Sequence, residues 1–179
     1  MKNLILNLSR NARIERAIFF RDIFTLKSDT KILDIGSETG ANINSILQNT
    51  EVKPQNVYIA DINENDLKIG HEKFGYNTVL LFENEKLPFA DNFFDIVYCS
   101  SVIEHITVPK TDVWNITSGK IFREISRENQ KKFADEIKRI SNQYFVQTPN
   151  KNFIIETNAS QTPFKIGIEA GSRIIKTIK

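Results

Sequence analysis

The chain has a single cysteine, Cys99, which excludes a disulfide framework and a cysteine-rich metal site. No apolar run approaches the roughly 18 residues that a membrane-crossing helix needs. The opening MKNLILNLSRNARIERAIFF is apolar only briefly before charges interrupt it, and no small-residue cleavage site follows, so it does not read as a signal peptide. Charge of one sign is also lacking. Lys and Arg number 24 against 22 Asp and Glu, and a formal charge of +2 argues against nucleic acid or a membrane surface as partner. Repeats and low-complexity tracts are missing, and only two histidines occur. With nothing exporting the chain, the N-x-S/T sequences at Asn7, Asn115 and Asn158 read as chance matches, and a cytoplasmic location is expected.

What is present suits one globular domain of 179 residues, 40% hydrophobic and 26% charged. We divide it into an N-terminal helix (1–28), a ligand-binding core (29–156) and an atypical tail (157–179). Residues 8–24 have apolar positions near helical spacing. Short apolar runs at 31–35, 57–61, 78–82, 94–99 and 143–148 read as strands, with helices at 42–47, 64–74 and 126–141 between them. Gly75 is placed to end the second of these helices, and Ser126 with Glu128 to cap the third. Apolar strands alternating with helices predict an α/β fold, a doubly wound and mostly parallel sheet.

In such sheets ligands sit beyond the carboxyl ends of the strands at the switch point. The turn Gly36-Ser37-Glu38-Thr39-Gly40 follows the first strand, and Asp61 ends the second, 21 residues after Gly40. An acid there suits the two hydroxyls of a ribose. A dinucleotide fingerprint fits poorly: it needs glycine at 38 and glycine or alanine at 41, and finds Glu38 and Ala41. Asp34, Glu38 and Asp61 would also repel a pyrophosphate. An adenosine ligand with a positive centre and no phosphate fits better. Glu38 is tolerable if its φ is ordinary, and disruptive if the turn needs positive φ.

ILDIGSETG resembles the first motif of class I S-adenosylmethionine-dependent methyltransferases, Asp-x-Gly-x-Gly-x-Gly; Asp34, Gly36 and Gly40 match, and Glu38 departs. YIADIN is similar to the second motif, which implies that Asp61 binds ribose and Ile62 packs on adenine. FENEKLPFADNFFDIVYCSSVIEHI and YFVQTPN resemble the later strands, so that the likeness covers residues 30–156. It implies S-adenosylmethionine as cofactor, held by Asp34, Gly36, Ser37, Gly40, Asp61 and Ile62, by Glu83 and Asn84 toward the adenine, and by Ser100. Glu104 and His105 follow the fourth strand near where the methyl would point, with His105 a candidate base. No metal is required.

The bland alternatives are specific. Asp91 and Asn92 read as turn residues, Asp95 as a strand-start charge paired locally, and His71 as an inert helix residue. Tyr98, Cys99, Ser100 and Ser101 are candidates for the pocket floor, with Cys99 equally a core residue, and Trp114 covers the substrate or anchors its loop. The expected function is methyl transfer to a small or medium acceptor; the alternative is a module that binds cofactor without efficient turnover. The family's fifth strand is normally followed by a helix and an antiparallel hairpin, and 157–179 does not resemble that ending. Broken by Thr162, Pro163, Gly167 and Gly171, it predicts one short strand at 164–168 and a short helix or frayed end at 172–179. A bare sheet edge would then favour a homo-oligomer or a partner chain.

Overall fold

The computed structural model describes residues 2–82, 85–109, 112–116, 118–148 and 173–178, with backbone alone for the first turns of the opening helix and for 173–178. Strands β1 (Ile32–Ile35), β2 (Val57–Asp61), β3 (Asn77–Leu80), β4 (Phe94–Ser100), β5 (Ser141–Thr148) and β6 (Arg173–Ile178) form one sheet. Helices α1 (Lys2–Ile23), α2 (Ala41–Leu47), α3 (Glu64–Phe74) and α4 (Gly119–Ile140) pack around it. The strand order is β3-β2-β1-β4-β5-β6, parallel through β5, with β6 antiparallel. The order reverses between β1 and β4, so the switch point lies at their carboxyl ends.

Period-2 alternation sends successive side chains to opposite faces of the sheet. On one face Ile32, Ile59, Ile96, Tyr98 and Phe145 meet Phe20 of α1 and Phe24 just after it, Ile43 and Ile46 of α2, and Leu67 of α3. Tyr98 stacks on Phe145, with ring centroids 5.3 Å apart, and Phe20 stands edge-on to both. On the other face Leu33, Ile35, Val97, Cys99 and Val146 meet Ile137 and Ile140 of α4, with Leu87 and Phe94. Each fully buried side chain of this size is worth about 1.5–3 kcal/mol, which is why strands of only four or five residues hold.

Helix α3 follows its local signals closely. Asn63 caps it by accepting from the N–H groups of Asn65 and Asp66, and Gly75 ends it at φ +71° with its N–H on the His71 carbonyl. Helix α4 does not follow them. It begins at Ser118, whose hydroxyl accepts from the Lys120 N–H, rather than at Ser126. Ser126 is buried mid-helix and donates back to the Phe122 carbonyl at 2.7 Å. The polar composition around 117–120 disguised a helical spacing at Phe122 and Ile125. β3 likewise starts one residue earlier than expected and ends two earlier, leaving Phe82 exposed.

The tail requires a correction. Residues 173–178, expected as a short helix or frayed end, form β6, in register with β5 from Thr148↔Arg173 to Gln143↔Ile178. Arg-Ile-Ile-Lys-Thr-Ile has the β-branched content of a strand, and pairing with β5 supplies what its length cannot. The edge of β5 is therefore covered, and the argument for a partner there loses its basis. The strand expected at 164–168 lies outside the described residues.

Candidate active site

The turn after β1 is built on two left-handed glycines, Gly36 at φ +71° and Gly40 at φ +73°. A Cβ on Gly36 would collide with Val102, so this position serves close packing against the segment after β4 as well as the turn itself. Glu38 also has positive φ, +49°, with its side chain exposed. The middle position of the motif thus needs the conformation that glycine supplies. Glutamate bears it at a cost of about 1–2 kcal/mol, without opening the turn.

Four backbone donors of this turn, those of Gly36, Ser37, Glu38 and Gly40, are spent inside the protein. Gly36 and Ser37 donate to the Ala60 carbonyl at 2.8 and 3.4 Å, and Gly40 to the Ser37 carbonyl at 2.8 Å. The Glu38 N–H reaches Asp61 Oδ2 at 2.9 Å, and the Asn63 N–H reaches Asp61 Oδ1 at 3.0 Å. Ser37 is buried, with its hydroxyl 3.5 Å from the Ala60 carbonyl. A phosphate cradle needs those N–H groups unclaimed.

Acceptors, by contrast, are available. Asp34 is 2% exposed, and its Oδ2 has no hydrogen-bond partner. Burial, then the charge of Asp61, raises its pKa well above the ordinary aspartate value. Asp61 is half-buried, and each of its oxygens retains a second lone pair beyond the backbone bond it accepts. Ile62 beside it is 66% exposed, an apolar face without cover.

The wall facing Asp34 is aromatic and hydroxylated. Tyr98 is its register neighbour on β4 and accepts from the Asn42 amide at 3.0 Å. Tyr76 donates to Asn44 Oδ1 at 3.0 Å, and burial, then Asp34, pushes its pKa up to about 12. Cys99 is completely buried on the opposite face, where burial, followed by Asp34 and Glu104, drives its thiol pKa far up. It is core, not pocket floor. Ser100 is half-buried at the end of β4, and Ser101, at φ +58°, donates its N–H to the Gln147 carbonyl at 2.9 Å. The 3₁₀ turn Ile103–His105 follows, with Glu104 half-buried and His105 exposed.

The fold therefore brings Asp34, Gly36, Ser37, Gly40, Asp61, Ile62, Ser100, Glu104 and His105 to the carboxyl ends of β1, β2 and β4. Glu83 and Asn84 lie outside the described residues. Asp91, Asn92 and Asp95 are structural: Asp91 pairs with Arg139, Asn92 donates to the Arg139 carbonyl, and Asp95 accepts from the Lys31 N–H. His71 is exposed and bonds the Tyr76 carbonyl through Nδ1 at 2.7 Å. Trp114 is 90% exposed, which overturns its reading as a loop anchor. No group of residues suited to a metal occurs among the described residues.

Two contributors were not singled out from the sequence. Arg16 of α1 has a buried Nε without a partner, and its charge acts on Tyr98. A cation immediately before the buried Ala17, and one helical turn before the buried Phe20, was the signal. Arg139 of α4 donates to the carbonyls of Phe89 at 2.7 Å and Leu87 at 3.0 Å, and pairs with Asp91 and Glu136. It clamps the loop 85–92 that leads into β4, through contacts about 50 residues apart in sequence that no local pattern announces.

The family profile described as "Methyltransferase domain" matches residues 33–143, more than half of the chain. The ubiquinone/menaquinone biosynthesis C-methyltransferase UbiE of Cupriavidus taiwanensis is 35% identical over 81 residues, 43% of this chain and 33% of that protein. The chain thus spans about a third of the length of the curated relatives it matches. Among solved structures, Haemonchus contortus phosphoethanolamine N-methyltransferase 1, in complex with phosphoethanolamine and S-adenosylhomocysteine, superposes with a TM-score of 0.60 at 12% identity. That alignment covers 88% of this chain and 30% of the other. A complex of the Haloferax volcanii Trm112 methyltransferase activator gives a TM-score of 0.50 at 10% identity, over 76% and 51% of the two chains. At such identities these two show the fold alone.

Proposed function

Because the chain belongs to the methyltransferase domain family, we propose that its cradle binds S-adenosylmethionine and positions it for methyl transfer to a small or medium acceptor. One observation carries the choice of ligand: the N–H groups of Gly36, Ser37, Glu38 and Gly40 are satisfied within the protein while the buried Oδ2 of Asp34 lacks a partner. The site asks for a ligand that brings hydrogen-bond donors and positive charge. S-adenosylmethionine brings an ammonium, a sulfonium and two ribose hydroxyls; a dinucleotide brings a pyrophosphate that finds only carboxylates.

In this reading Asp34 takes the ammonium side and Asp61 the ribose, with Ile62 under the adenine. Half-buried Arg16, whose Nε is buried and unpartnered, is the cation available to the ligand's carboxylate. The cofactor supplies a methyl group already bound to a good leaving group. The chain's residues hold it and keep the acceptor in line with it, which can supply most of the acceleration. An oxygen or carbon acceptor must also lose a proton, and exposed His105, one residue from Glu104, is the base within the segment after β4. An amine or thiolate acceptor needs none.

Glu38 at φ +49° favours a second reading, a module that binds cofactor but turns over poorly alone. The activator in the Haloferax complex illustrates how a partner can enter such a system. Calorimetry with S-adenosylmethionine, S-adenosylhomocysteine and NAD tests the first step. Binding of the first two is expected at roughly −8 to −5 kcal/mol, and Asp61→Ala should weaken it by about 1.5–3 kcal/mol. Binding of NAD instead would refute the assignment. Methyl release over an acceptor panel then separates the two readings: binding without release points to the module.

A further inference from the structure

The formal charge of +2 conceals an uneven distribution. On α4, at 100° per residue, Lys120, Arg123, Arg127, Lys131 and Lys138 fall within about 80° of arc. All five are exposed, and no acid lies inside that arc. Glu124, Glu128 and Asp135 flank it on one side. Lys120 meets Glu124 at 3.9 Å and Lys138 meets Asp135 at 3.4 Å, but these pairs are exposed and solvent-screened, leaving the ridge basic along the helix.

Just before this helix stands the 3₁₀ turn Val113–Asn115, which carries Trp114 at 90% exposure and Val113 at 37%; Ile121, in the first turn of α4, is 49% exposed. An indole that far in water is poorly placed for folding and well placed for an interface with one apolar and one wet side. The segment belongs to the connection leaving the carboxyl end of β4, the end that bears the cradle.

We infer that the turn Val113–Asn115 and the basic ridge of α4 form a docking surface for an anionic lipid bilayer. Trp114 and Val113 enter the headgroup region while Lys120, Arg123, Arg127 and Lys131 lie along its charge. The combination selects this partner. Cations alone would suit any polyanion, but Val113 and Trp114 have nothing to offer a phosphate backbone and gain by partition into the interface. Among the described residues no second exposed aromatic stands beside Trp114 to make a stacking platform for single-stranded nucleic acid. This surface binding is independent of the cofactor assignment.

Trp114 is the only tryptophan, so the emission of the intact protein reports this turn alone. The test is partition onto vesicles of phosphatidylcholine alone and of equal parts phosphatidylcholine and phosphatidylglycerol, followed by sedimentation and by tryptophan emission. The expected result is binding to the anionic vesicles with a blue shift, weakened by added salt, and little binding to the neutral ones. Arg123→Glu with Arg127→Glu should lower the partition coefficient at least about tenfold. Trp114→Ala should lower it several-fold, with the circular dichroism of both variants unchanged. No binding at low salt, equal binding to both vesicles, or binding without a change in Trp114 emission would each overturn the proposal. So would binding of single-stranded RNA under conditions where anionic vesicles are left free.

Discussion

Asp34 is held at an energetic disadvantage in the free protein. Its buried carboxyl has a raised pKa, so between the ordinary aspartate range and that raised value the folded state binds a proton that the unfolded chain has lost. Its contribution to stability is therefore full below the ordinary range and is lost as pH rises through the folded pKa. Asp34→Asn should flatten that limb in a series of thermal melts across pH. A cationic ligand reverses the preference, so binding to the wild type should release a proton, read by calorimetry in buffers of different ionisation enthalpy. Proton release should vanish in the asparagine variant. Glu38 offers a second test at this scale. Glu38→Gly relieves about 1–2 kcal/mol of left-handed strain but adds about 0.5–1 kcal/mol of unfolded-state entropy. Stability should rise by roughly 0–1.5 kcal/mol in denaturant titration, and a fall would mean that the Glu38 side chain holds the turn.

The last turn of α4 and the loop 85–92 act as one element. Arg139 bonds the carbonyls of Leu87 and Phe89, and Glu136 accepts from the Leu87 N–H at 3.1 Å. The Arg139 hydrogen bond is the main cause that lowers the Glu136 pKa, with the Leu87 bond adding to it. Since that folded pKa is depressed, the stabilisation is present above the ordinary glutamate range and is lost as pH falls through the folded value. Arg139→Ala leaves two carbonyls and a partly buried carboxylate without their donor. It should cost about 2–3 kcal/mol at neutral pH, and less at acid pH, in urea titrations. Arg139→Lys should rescue only part of the loss, since one ammonium cannot replace the fork of donors.

For the whole molecule the telling element is β6. With it in place β5 is an interior strand, and Tyr144, Phe145, Val146 and Gln147 are buried. Deleting residues 173–179 would expose the β5 ladder, and the sheet would end on an unpaired parallel strand. The melting temperature should drop by about 5 °C or more, and light scattering should show concentration-dependent association. An unchanged, monodisperse variant would mean that β6 contributes nothing to the edge. No helix among the described residues is long and apolar enough to cross a membrane.

The sequence by itself determined the elements whose signals are local. β1, β2 and β4 are apolar runs between turn residues, and α3 carries its Asn63 cap and its Gly75 stop, so their bounds were legible nearly to the residue. The gathering of Asp34, Gly36, Gly40 and Asp61 was legible too, because strand-turn-helix-strand fixes where the ends of neighbouring parallel strands meet. Tertiary structure decided whatever depends on a distant partner. Whether the turn's N–H groups are free depends on Ala60 and Asp61, and whether φ at Glu38 is positive depends on how the turn docks on β2. The role of Arg139 depends on a loop about 50 residues away, and residues 173–178 become a strand because β5 has an edge to pair. The basic ridge needed both. Its residues are in plain sight, but a helix read from Ser126 leaves out Lys120 and Arg123, and only the cap at Ser118 brings them into line with Arg127 and Lys131.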